Sequence, residues 1–69
     1  NARQLKGLVL SLCEDQFVSK RALAELLGMN DSALRLHLKQ FVEEGLLELA
    51  FPQQPTHKDQ SYRLVKLQN

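Results

Sequence analysis

The chain has 69 residues, 43% hydrophobic and 25% charged, enough for one small folded domain and no more. Nine Lys and Arg stand against eight Asp and Glu, a net charge of +1, too small a basic excess for a strong electrostatic footprint, so any DNA affinity of the isolated domain is expected to be modest. No apolar run approaches the roughly 20 residues of a membrane span, no secretory leader pattern is visible, and a lone cysteine, Cys13, cannot close an internal disulfide, which points to a cytoplasmic setting.

The pattern predicts a first helix from about Ala2 to Cys13. Leu5, Leu8, Val9 and Leu12 recur at i, i+3, i+4, i+7 and define its buried face, with Leu10 off that face. Cys13 reads as a small buried hydrophobe at its end. Glu14-Asp15-Gln16 is a polar break, and Phe17-Val18 is expected as a very short strand that adds an edge to a later hairpin. Ser19 has the hydroxyl of an N-cap for a second helix whose buried stripe is expected to be Ala22, Leu23, Leu26 and Leu27. Ala22 and Ala24 are small and allow close approach of the next helix. Gly28 suits the left-handed position that ends such a helix.

After the turn Gly28-Met29-Asn30, either Asn30 or Asp31 caps a third helix with Leu34, Leu38, Phe41 and Val42 on its core side and Gly45 at its end. Leu46 to Phe51 then alternates as a half-buried strand. The stretch 52–60 holds both prolines and is otherwise polar, so it reads as a loop. Ser61 to Leu67 returns as the second strand, with Tyr62, Leu64 and Lys66 on one side and Arg63, Val65 and Leu67 on the other. Tyr62 and Phe51 are expected to close the core under the loop, and His37 to pack against the sheet or helix 1. The expected fold is therefore α+β, mainly α: a winged helix-turn-helix of three helices and a small β-hairpin wing, spanning residues 1–69 as one domain.

Set by Leu34, the far side of helix 3 carries Ser32, Arg35, Leu36, Lys39, Gln40 and Glu43. In a helix-turn-helix the second helix enters the major groove by its N-terminal part. Arg35 could pair with guanine, Gln40 with adenine, and Leu36 could touch a thymine methyl. Ser32 and the free N–H groups beside it could hold a phosphate. Lys20 and Arg21, at the start of helix 2, and His57 and Lys58, in the wing, are placed for further phosphate or minor-groove contact. A competing reading exists for helix 3. Asp31, Arg35, Lys39 and Glu43 are each four apart and could form an ion-pair ladder on a solvated face. Arg63 is either a phosphate contact or a cross-strand partner of Glu48.

No catalytic constellation, no Cys/His metal spacing and no phosphate-binding Gly-rich loop appear. No enzyme, cofactor, membrane or small-molecule role is therefore expected.

The stretch from Leu23 to Glu48 resembles a winged helix-turn-helix. A sharper likeness lies in Glu44-Gly45-Leu46-Leu47-Glu48, then Phe51-Pro52, Pro55-Thr56-His57 and Gln60-Ser61-Tyr62-Arg63. This resembles the C-terminal winged-helix domain of larger bacterial proteins: ATP-binding regulators with an AlbA/Schlafen-like N-terminal domain, including RecG-like helicases by name, and some Fic-family proteins. Thr56 stands where such sequences often carry asparagine. The likeness covers roughly residues 20 to 63. It implies a C-terminal DNA-binding or regulatory appendage, with the Pro55-to-Arg63 segment ordering the wing; the start at Asn1-Ala2 without methionine separately leads to the expectation of a domain cut from a longer protein, with Asn1-Ala2 a vector remnant.

Two functions follow. In the first, this is a double-stranded-DNA-binding domain of a bacterial transcriptional regulator, with helix 3 reading the groove. In the second, it is an interaction or dimerisation module that docks on its parent's other domains or on itself through Leu10, Leu36 and the near-neutral face of helix 3.

Overall fold

The computed structural model describes residues 2–66. Three helices, α1 (Ala2–Leu12), α2 (Lys20–Leu27) and α3 (Asp31–Glu43), pack with strands β1 (Val18–Ser19), β2 (Leu47–Leu49) and β3 (Ser61–Leu64). The strands form one antiparallel sheet in the order β1-β3-β2. This is a helix-turn-helix followed by a hairpin: the winged helix-turn-helix of the α+β class. Among the described residues no helix is long and apolar enough to cross a membrane.

The helix ends form where capping chemistry dictates. Ser19 Oγ accepts the Ala22 N–H at 3.1 Å, and Asn30 Oδ1 accepts the Ala33 N–H at 2.9 Å, each satisfying an orphan donor of a first turn. Asn30, not Asp31, is therefore the cap of α3. Gly28 ends α2 at φ 66°, and its N–H donates to the Ala24 carbonyl. Gly45 likewise takes a positive φ of 79° just past α3.

The core comprises Val9, Cys13, Leu23, Leu34, Leu38, Phe41, Leu47 and Tyr62. Leu23, Leu34 and Leu38 are fully buried, so cutting any one to alanine should cost about 2–5 kcal/mol, a large part of a small domain's stability.

Two buried faces differ from the periodic expectation. In α1 the line that packs is Leu5-Val9-Cys13, and Leu10 packs with it, while Leu8 is 55% exposed and Leu12 is at the surface. Lys6 marks the flank of α1 that faces the end of α3. Its ammonium lies 3.4 Å from Glu44 at the end of α3, and Leu10, four residues on, shares that flank. In α2, Ala24 joins Leu23 and Leu27 against the core, and Leu26 is left 66% exposed. Successive helical residues are about 100° apart, and α3 covers the side of α2 that Leu26 does not occupy.

The strands are shorter than their apolar alternation. β1 begins at Val18 rather than Phe17 and pairs with β3 through Val18–Tyr62 and Ser19–Ser61. β2 pairs with β3 through Leu47–Leu64, Glu48–Arg63 and Leu49–Tyr62. The Val65 N–H to Leu46 carbonyl bond, 2.9 Å, continues the contact past β3. Leu67, expected in this strand, lies outside the described residues.

Candidate nucleic-acid interface

The wing loop between β2 and β3 is built around one buried polar side chain. Gln60 is 4% exposed. Its Oε1 accepts the N–H groups of Phe51 (3.0 Å) and Ser61 (3.2 Å). Its Nε2 points at the carbonyls of Phe51 (3.0 Å), Gln54 (3.2 Å) and Pro55 (3.2 Å). One amide thus gathers backbone groups that a proline-broken strand cannot pair in a ladder. The Gln60 carbonyl also accepts the Lys20 N–H at 3.3 Å, joining the wing to the first turn of α2.

Phe51 does not close the core as expected. It stacks on His57 with ring centroids 3.9 Å apart and planes 3° from parallel, and it is 38% exposed. Of the two aromatics expected under the wing, Tyr62 is the one in the core, and Gln60 holds Phe51 at the loop's edge. His57 is turn-bonded, its Nδ1 accepting the Asp59 N–H at 2.9 Å. The wing is therefore a shaped body and not a polar tether.

Between this wing and α3 lies a cleft of about 490 Å³. Lys20, Arg35, Lys39 and Lys58 line it with a single carboxylate, Glu43. Val42, Leu49, Pro55 and Tyr62 supply its apolar surface, and Thr56, His57 and Gln60 its uncharged polar surface. The sequence signals that found Lys20, Arg35, Lys39, His57 and Lys58 were separate; the fold brings these five side chains to one depression. Ser32, Leu36 and Gln40 form a neighbouring exposed line on α3, with Leu36 70% exposed, and do not line the cleft. Arg21 is also exposed and outside it.

The ion-pair ladder is not formed. Among the described residues, Arg35, Lys39 and Lys58 have no carboxylate within salt-bridge distance. Asp31 turns back to Lys20 at 3.8 Å, which offsets that lysine's place at the positive end of the α2 dipole. Asp31 is 67% exposed in this pair, and an exposed ion pair contributes about 0–1 kcal/mol, too little to withhold Lys20 from an anion. Arg63 lies elsewhere: its Nε is 2.9 Å from Glu48 Oε2 across the strands, and its guanidinium sits 4.3 Å over the Phe17 ring. His37 is half-buried, with its ring 6.3 Å from that of Phe41 one turn on in α3.

Sequence reasoning did not single out Tyr62 or Gln60 as parts of this site. Burial raises the Tyr62 hydroxyl above its ordinary pKa of 10.0, with the Arg35 charge pulling the other way, so it is neutral at physiological pH and lies within the field of Arg35. Among the described residues no three His, Cys, Asp or Glu side chains converge to hold a metal ion. Comparison with protein-family models, with curated proteins and with solved structures finds no match to this chain.

Proposed function

We propose that this is the DNA-binding domain of a larger, cytoplasmic bacterial transcriptional regulator, with α3 and the wing as its nucleic-acid face. The observation that carries the reading is the cleft rimmed by Lys20, Arg35, Lys39 and Lys58, three of them without a carboxylate partner among the described residues. Four of the nine Lys and Arg of a near-neutral chain meet where a helix-turn-helix presents its second helix. Phosphate contacts of this kind supply affinity and register, and Ser32, Leu36 and Gln40, on the adjoining line of α3, are placed to meet base edges. So few cations support few phosphate contacts, and useful affinity comes from a dimer or from the rest of the parent.

The test is fluorescence anisotropy of a labelled duplex at low and at physiological salt. Binding should weaken steeply with salt, and the Arg35→Ala/Lys39→Ala double variant should lose affinity and flatten the salt dependence by about two charges. Equal affinity of wild type and double variant removes α3 from the interface.

A second reading, a docking or self-association module, is favoured by the exposure of Leu26 and Leu36 at 66% and 70%. Leu10 does not contribute to such a surface because it packs against the core. Sedimentation of the fragment over a range of concentrations, alone and with the parent's remaining domains, tests it: a strictly monomeric fragment without affinity for the parent rules it out.

A further inference from the structure

The cleft holds a polar group that the described residues leave unused. Tyr62 is 6% exposed, and its hydroxyl has no hydrogen-bond partner among the described residues. Yet no described side-chain polar atom is both buried and unpartnered, so the hydroxyl is the part of Tyr62 that opens into the cleft it lines. Beside it lie the apolar side chains of Val42 and Leu49, the His57 ring held flat against Phe51, and the cations Arg35 and Lys39. The depression therefore combines cations, apolar side chains and the unpartnered Tyr62 hydroxyl. Its volume, about 490 Å³, falls within the range of small-ligand sites, roughly 300–1,000 Å³.

A stacked duplex presents phosphates to such a cleft but keeps its base faces covered. Its phosphate oxygens can accept from the Tyr62 hydroxyl as from any Tyr donor, but the apolar walls and the His57 ring would meet no flat partner. An unstacked nucleotide offers all three complements at once: a flat ring for the apolar walls and His57, a polar base edge for the hydroxyl, and a phosphate for the cations. We infer that the α3–wing cleft is a seat for one unpaired nucleotide, so that the domain prefers single-stranded or frayed nucleic acid to blunt duplex. The inference rests on the nucleic-acid reading of the same cleft and narrows it to a substrate class. The seat's chemistry is shared by a nucleotide within a strand and by a free mononucleotide.

The experiment compares three labelled probes of one sequence by anisotropy: a single strand, a duplex with a single-stranded overhang, and a blunt duplex. Strand and overhang should bind at least about tenfold more tightly than the blunt duplex, the scale of one seated base. Tyr62→Phe, which keeps the buried ring, should bring that ratio towards one. Displacement of the bound strand by adenosine monophosphate assigns the seat to free nucleotides as well; resistance to it assigns the seat to strands. Blunt duplex binding as tightly as single strand overturns the inference and leaves the DNA reading standing. An unchanged ratio in Tyr62→Phe also overturns it. Failure of all three probes to bind overturns the inference and the DNA reading together.

Discussion

Gln60 and Phe51 meet as two residues of neighbouring strands would, but with a side chain on one side. The Phe51 N–H donates to Gln60 Oε1 and the Phe51 carbonyl accepts from Gln60 Nε2, both at 3.0 Å. The amide thus reproduces a two-bond backbone bridge where the chain has left the ladder.

Removing that amide should loosen the wing. Gln60→Ala leaves the Phe51 and Ser61 N–H groups without their acceptor and should cost about 1–3 kcal/mol, read as a lowered urea midpoint at unchanged m-value. Gln60→Glu keeps the acceptor but sets a carboxylate against the carbonyls of Phe51, Gln54 and Pro55, so it should be no less damaging. Amide exchange at Phe51 and Ser61 should rise before that of α3 in either variant.

Glu43 is the carboxylate among the cleft's cations. Glu43→Gln should tighten nucleic-acid binding by about 1 kcal/mol or less, the scale of one exposed charge, and steepen the salt dependence. Arg63→Gln removes a cation already committed to Glu48 and Phe17 and outside the cleft, so affinity should stay as it is. Parallel titrations of the two variants separate placement from net charge, because a uniform charge effect would move both.

Two glycines should respond in opposite senses. Gly7 sits inside α1 with nothing within 4 Å of an added Cβ, so Gly7→Ala should stabilise by about 0.5–1 kcal/mol. Gly28 has equally open surroundings but a φ of +66°, so Gly28→Ala meets only the left-handed backbone penalty, about 1–2 kcal/mol. For a domain of this size each kcal/mol moves Tm by about 4–8 °C, and calorimetry of both variants should show shifts of opposite sign.

Cys13 is fully buried, and burial raises its thiol from 9.0 to about 11. The folded state holds this proton more tightly than the unfolded chain. The associated stability is complete below pH 9 and is lost as pH rises towards 11, at up to about 1.4 kcal/mol per pH unit. Urea titrations at pH 8 and pH 10 should show a smaller loss in Cys13→Ala than in wild type. In the native protein at pH 8 a thiol reagent should react only as fast as the chain unfolds.

Much of the fold was legible because its signals are local. Ser19 and Asn30 are capping residues next to apolar-periodic segments, and Gly28 ends a helix by its own conformational freedom. What depended on distant partners was not legible. Leu8, Leu10, Leu12 and Leu26 are apolar alike, and which of them are covered depends on where the other elements pack. The cleft shows the same division. Arg35 and Lys39 could be found by helical geometry, but Asp31, the first carboxylate of the expected ladder, pairs instead with Lys20, a partner eleven positions away in the chain. Tyr62 and Gln60 joined the site only because one amide folds a proline-broken loop towards α3.

The strand order β1-β3-β2 has a consequence for assembly on the ribosome. β1 and β2 do not touch as sheet neighbours; every pairing passes through β3, the last element among the described residues. Five of the six elements must therefore leave the exit tunnel before the sheet can begin to form, and Tyr62 arrives with it to complete the core. The nascent domain waits with its helices built and its sheet unmade until residues 61–64 emerge, so a stall or truncation before Ser61 forfeits both strand pairings at once and exposes apolar surface to chaperones and proteases.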